Sequence, residues 1–281
     1  MTPEQSLSFD CAADFYDATR ALPNDVSRAL TDAILRELAA ANADHLLELG
    51  VGTGRISRPL MERGLRVTGI DISPRMMGRL MEQLTPAHTP PDLLLADATQ
   101  MPFRDDSFPA MLFVHVLHLI PGWRDAIAEM LRVLAPGGVI LSSWDQTKGA
   151  NWGEASGASD WDVAFEWWKK ALDDRGVVRR KRANIPDISE AFVAAGATTE
   201  VSVLAEIEET STVGEELALI RDRIHSWSWE IPDAIFNDLA PKGEAWALEH
   251  FGSADAKLRR AVQYKLQVWR FDGPPQPAAL E

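Results

Sequence analysis

Apolar positions change rhythm along the first half of the chain. Over residues 24–43, Val26, Leu30, Ala33, Ile34 and Leu38 fall at helical spacing, predicting an amphipathic helix that Asn24 or Asp25 can cap. HLLELG (45–50) then predicts a strand, and GRISRPLMERG (54–64) a helix closed by Gly64. RVTGIDI (66–72) is a second strand, and PRMMGRLMEQL (74–84) a helix with Pro74 near its first turn. DLLLADA (92–98) and AMLFVHV (110–116) are the third and fourth strands. WRDAIAEMLRVLAPGG (123–138) predicts a helix ending in a Pro-Gly-Gly turn, and VILSSW (139–144) a fifth strand. These strands are continuous apolar runs, as in a parallel sheet buried on both faces. With right-handed crossovers, residues 45–144 become a doubly wound α/β sheet.

After Trp144 the pattern loosens. DQTKGANWGEASGAS (145–159) reads as a loop, and DWDVAFEWWKKALDDRG (160–176) as a helix with Trp161, Phe165, Trp168 and Leu172 on one face. A short helix at 185–197, a strand at 198–210, two or three helices over 213–252 and a last strand at 262–271 follow. The organisation expected is an N-terminal helical segment (1–44), an α/β core (45–144), remaining strands plus added helices (145–272) and a loose tail (273–281).

The chain has 281 residues and a formal net charge of −14, which argues against a nucleic-acid partner because phosphate binding rests on a basic face. The basic run Arg179–Arg182 is expected to be a solvated helix end or loop; a site for an anionic group on a substrate is the sharper reading. A single cysteine, Cys11, allows no internal disulfide and no cysteine-based metal site. The N-terminus lacks the basic start and apolar run of a signal peptide, and the most apolar stretch, AMLFVHVLHLI, is too short to span a bilayer. The expectation is a cytoplasmic protein with neither membrane nor metal partner. Nine of the ten tryptophans stand at or after Trp144, either packing the added helices or lining a pocket for an apolar ligand.

The chemistry-bearing stretch is LLELGVGTGRIS (46–57). Glycines between a first strand and a helix let backbone N–H groups approach a ligand. A dinucleotide fingerprint would space them G-x-G-x-x-G, whereas here Gly50, Gly52 and Gly54 alternate and Ser57 stands where the third is due. That disfavours a nicotinamide oxidoreductase. Asp71 ends the second strand 21 residues after Gly50, where a carboxylate can accept from both ribose hydroxyls; Asp97, after the third, can accept from an adenine amino group. The ligand expected is an adenosine carrying something smaller than a pyrophosphate.

ELGVGTGR, GIDIS, LLLADATQMPFRDDSFPAMLFVHVLHLIPGW and MLRVLAPGGVIL, in this order, resemble the successive motifs of class I S-adenosylmethionine-dependent methyltransferases. Within them they are closest to the methyltransferase type 11 family, which includes the ubiquinone/menaquinone-biosynthesis C-methyltransferase-like enzymes. The resemblance covers about residues 10–145. It implies a Rossmann-like seven-stranded sheet with the last strand antiparallel, S-adenosylmethionine as cofactor, and a helical cap from the departing segments 145–184 and 208–260. It implies that Glu48, Gly50 and Gly52 face the methionine part, that Asp71 binds ribose and Ile72 flanks adenine, and that Asp97 and Ala98 stand at the adenine edge. Tyr16 and Arg20, in FYDATR, would fold over the cofactor, and His115 would contribute backbone beside it.

His118, just past the fourth strand, is the leading candidate for a general base; His115 and His225 rank behind it. VHVLHL replaces the Asn/Asp-Pro-Pro-aromatic motif of many nucleic-acid amino-methylating enzymes, and Cys11 lies outside any motif for cytosine C5 methylation. A small organic acceptor methylated at oxygen or carbon is the expectation. The rival from another class is a non-catalytic S-adenosylmethionine-binding sensor or partner protein. If the cap closes as a lid, Gly149, Gly153 and Gly157 are its expected hinges.

Overall fold

The computed structural model describes residues 6–148, 160–177 and 183–276. The Arg179–Arg182 run, the three hinge glycines, Trp152 and the end of the tail lie outside the described residues, as does the side chain of Trp161. In chain order the elements are α1 (Tyr16–Arg20), α2 (Asn24–Ala40), β1 (His45–Leu49), α3 (Ser57–Glu62), β2 (Arg66–Asp71), α4 (Pro74–Gln83), β3 (Asp92–Leu95), β4 (Phe108–Val114), α5 (Trp123–Val133) and β5 (Leu134–Thr147). There follow α6 (Asp160–Asp173), α7 (Ile185–Ala194), β6 (Thr198–Thr212), α8 (Val213–Arg221), α9 (Asp233–Phe251) and β7 (Lys257–Arg270).

The strands form one seven-stranded sheet in the order β3-β2-β1-β4-β5-β7-β6. β1 pairs in parallel with β2 and β4, β2 with β3, and β4 with β5. β7 is antiparallel: Phe271 N–H donates to the Gly138 carbonyl and Lys148 N–H to that of Ala261, so the register runs in opposite senses. This is the Rossmann-like methyltransferase sheet expected from the resemblance.

The continuous apolar runs of β1 and β4 are explained by burial on both faces, whereas β3, at the sheet edge, leaves Leu95 exposed. Leu47, Met111 and Phe113 pack on the side of Ile127, Met130 and Phe192, whereas Leu46, Ala110 and Leu112 pack on the side of Ile34, Leu60 and Leu80. Each such fully buried side chain contributes about 1.5–3 kcal/mol relative to exposure.

The chain divides into two compact units. One holds Met1–Trp144, Arg182–Ala205 and Tyr264–Glu281, and the other Asp145–Lys181 and Glu206–Gln263. After Trp144 the chain alternates between the two units rather than forming one block. The second unit has its own core of Trp168, Leu172, Ile220, Ile231, Phe236 and Leu239. Trp168 stacks on Phe236 at 5.9 Å and Trp167 on Trp246 at 5.8 Å, so these tryptophans are packing residues. Trp168 and Leu172 are buried as predicted, but Phe165 is 44% exposed and the partly buried Trp167 joins the core instead.

Several boundaries move for local reasons. Pro23, not Asn24 or Asp25, is the residue that caps α2, with no side-chain bond, and Asp25 serves in the first turn, where the helix dipole favours a carboxylate. α5 stops at Val133 and β5 starts at Leu134, running through the Pro-Gly-Gly segment. Pro136 has no N–H to continue a helix, and Gly137 adopts a φ of +77°. β3 ends at Leu95, because the Asp97 carboxylate accepts from the Thr99 amide and draws the chain into a turn. β4 starts two residues early and stops at Val114, since His115 takes a left-handed φ of +55°.

Candidate functional site

The glycine turn after β1 is anchored to β2: the amides of Gly50 and Val51 both donate to the Ile70 carbonyl, at 2.8 and 3.1 Å. Gly50 and Gly52 have φ of +65° and +54°, a conformation open to glycine at little cost. A Cβ on Gly50 would stand 2.2 Å from Val116 Cγ2, so the turn also needs the missing side chain. Gly54, one place early for a dinucleotide fingerprint, has a different use. A Cβ there would meet Leu80 Cδ1 at 2.3 Å, so Gly54 lets α4 pack against the turn. Gly69, which the sequence reading passed over, lies against Val51: a Cβ would meet it at 2.8 Å.

Asp71 stands at the end of β2 beside this turn. Its Oδ2 accepts from the Gly52 amide at 2.9 Å and its Oδ1 from the Ser73 amide at 2.8 Å. Burial pushes its carboxyl above the usual range, against the pull of those amides and that of Ile72. A carboxylate has about four lone-pair sites, so acceptor capacity remains on both oxygens. Asp97 is exposed; its Oδ1 accepts from the Thr99 amide and hydroxyl at 2.9 Å, leaving Oδ2 for another donor.

These residues meet in a cleft of about 670 Å³, counted with its open mouth. Its walls include Tyr16, Gly50, Gly52, Asp71, Ile72, Asp97, Ala98 and His115 from the sequence prediction. They also include residues that no motif marks: Ser6, Leu7 and Phe9 before α1, Met76 on α4, and Val116, Leu119 and Ile120 after β4. A smaller hollow beside it is lined by Glu48, Tyr16, Gly50, Gly52, Thr53 and Arg55. Glu48 is fully buried there, and burial raises its carboxyl to about 8, opposed by a hydrogen bond from the Ser57 hydroxyl and by the charge of Arg55. Ser57, in the place of the third glycine, is therefore a partner for a buried acid.

Residues 47–142 match the family model described as "Methyltransferase domain". Residues 47–142, from β1 into β5, thus resemble a methyltransferase domain. The chain is 36% identical over 136 residues to a malonyl-[acyl-carrier protein] O-methyltransferase of Serratia marcescens, an alignment covering 48% of this chain and 50% of that one. It is 32% identical over 143 residues to a demethylmenaquinone methyltransferase of Renibacterium salmoninarum, covering 49% and 57%. The chain spans about half the length of these curated relatives. Among solved structures, the YcgJ protein of a Bacillus species shares the fold with a TM-score of 0.55 at 13% identity, covering 87% of this chain and 99% of that one.

Two predicted residues, Arg20 and His118, line neither hollow. Arg20, at the end of α1, accepts at its carbonyl from Arg55 Nη1 at 2.7 Å. His118 is set back from the cleft, its ring edge-on to that of His115 at a centroid distance of 6.3 Å. His225 belongs to the second unit, where its ring stacks on Trp227 at 6.5 Å. Among the described residues no group of three or more His, Cys, Asp or Glu side chains could hold a metal ion, and no helix is long and apolar enough to cross a membrane.

Proposed function

We propose that the protein transfers a methyl group from S-adenosylmethionine to a small organic acceptor, at oxygen or carbon. The convergence of Asp71 with the positive-φ turn Gly50–Gly52 on one cleft carries this reading. The spare acceptor capacity of Asp71 suits a ribose diol, and Asp97 Oδ2 suits an adenine amino group. Ile72 and Ala98 offer apolar contact to the base. Tyr16 presents an aromatic ring of the kind that favours a cation. The cofactor, when bound, supplies a methyl group already activated on a positively charged sulfur. The residues of the chain then have to align the acceptor and exclude water, which is mainly a matter of positioning.

A hydroxyl or acidic-carbon acceptor must also lose a proton. His115 is the histidine among the cleft's lining residues, so we assign proton uptake to a ring nitrogen of His115 and give His118, whose ring stands edge-on to it, a positioning role. The net charge of −14 and the lack of an Asn/Asp-Pro-Pro-aromatic motif after the fourth strand favour a small molecule over nucleic acid. The relatives' names cover a thioester-linked acid and a quinone, so the shared core leaves acceptor choice to segments beyond it.

The test is transfer of labelled methyl from S-adenosylmethionine to phenolic, carboxylic and activated-carbon acceptors. His115→Ala is expected to lower kcat by about 10²–10⁴ with KM little changed, and His118→Ala by less than tenfold. A larger loss from His118→Ala would return the base to His118. Tight cofactor binding with no transfer to any acceptor class would favour the non-catalytic alternative.

A further inference from the structure

The segment before α2 forms part of the cleft wall through Leu7, Phe9 and Tyr16, yet it buries little of itself. Of its described residues up to Arg20, Ala12 and Ala13 alone are buried. Apolar burial therefore contributes far less to holding this strap than to holding β1 or β4.

Three acids hold it instead. Asp10, Asp14 and Asp17 meet a row of donors on α4 and on the glycine turn. Asp10 Oδ1 accepts from the Ser73 hydroxyl at 2.5 Å, and its backbone carbonyl from Arg75 Nη1 at 2.9 Å. Asp14 accepts from Arg75 Nη2 at 2.9 Å and from Arg79 Nη2 at 2.5 Å. Asp17 accepts from the Thr53 hydroxyl at 2.5 Å and from Gln83 Nε2 at 2.8 Å. Ser73, Arg75, Arg79 and Gln83 run along α4 from its cap, so one helix face receives all three acids. The two arginines hold the Asp14 carboxyl below the usual carboxylate range.

The Asp14 pairs are wet: the side chains of Asp14, Arg75 and Arg79 are 58%, 53% and 41% exposed. Exposed pairs are individually weak and are screened by salt. A strap held by several weak polar contacts closes readily and opens as a unit, as lids drawn from low-stability segments do.

We propose that Asp10, Asp14 and Asp17 are positioning residues forming a salt-sensitive latch. It seats Tyr16 on the cleft, and ligand exchange proceeds by release of the strap from α4. The ligand half of this proposal rests on the cleft being the S-adenosylmethionine site; the latch half does not.

Hydrogen exchange on the full chain without ligand tests the latch. Strap amides are expected to exchange roughly two- to fivefold faster in Asp14→Asn, and more than that in Asp17→Asn, while amides of β1 keep their rates. High ionic strength should speed the parent strap in the same way. The charge swap Asp14→Arg with Arg79→Asp should restore protection, which a merely structural role for Asp14 would not produce. Strap exchange indifferent to both substitution and salt overturns the latch.

The second arm is the dissociation rate of S-adenosylhomocysteine, expected to rise by the same factor as strap exchange. A dissociation rate unchanged while the strap loosens overturns exchange through the strap. Absence of S-adenosylhomocysteine binding to the parent refutes the reading of the cleft, and the exchange data still decide the latch.

Discussion

Glu48 shows how a single buried residue writes itself into the stability of the protein. Burial raises its carboxyl from 4.5 to about 8 in the folded chain. Between those values the folded state holds a proton that the unfolded state has released, so stability falls as pH rises through that window. Asp71, also raised by burial, adds a change of the same sign. Glu48→Gln keeps the shape and removes the charge. Denaturant unfolding should find the variant and parent nearly equal near pH 4.5, with the variant gaining toward pH 8 by at most roughly 5 kcal/mol. A stability difference that stays constant with pH would contradict this account of Glu48. At this scale the sequence was informative about Gly50, Gly52 and Asp71, because a strand-turn-helix with a following strand-end acid leaves few other uses for them. It was less informative about Gly54 and Gly69, whose reasons are contacts with Leu80 and Val51. Nor could it show that His115 lines the cleft while His118 does not, since the chain turns left-handed at His115, with a φ of +55°.

Elements were legible in their order more than in their ends. Apolar runs located the strands, but β3 and α5 stop where Asp97 and Pro136 intervene, which are local polar and steric events rather than periodic ones. The strap before α2 was legible in part as FYDATR (15–20), but its hold on α4 depends on pairing distant residues that no period relates. A helix end that the sequence does encode is that of α8. Thr212 Oγ1 accepts from the Glu215 amide at 3.2 Å, while Glu215 Oε2 accepts from the Thr212 amide at 2.7 Å. This capping box satisfies two amides that would otherwise lack partners. Thr212→Ala should cost about 1 kcal/mol in denaturant unfolding, and an effect indistinguishable from zero would show that water replaces the cap.

For the whole molecule, the methyltransferase motifs locate the sheet order and the cofactor side, and the family match stops at residue 142. Beyond it the chain builds a second unit in which Trp167, Trp168, Trp227 and Trp246 pack on one another, which composition alone could not tell from a lined pocket. The acceptor therefore has to be sought by experiment, whereas the donor can be tested at once. The most direct measurement is calorimetric titration of S-adenosylmethionine and S-adenosylhomocysteine into the parent and into Asp71→Ala. The account predicts saturable binding of both by the parent and its loss in Asp71→Ala, with the variant still folded. Equal binding by the two proteins, or none by the parent, would contradict the claim that Asp71 and the Gly50–Gly52 turn hold the methyl donor.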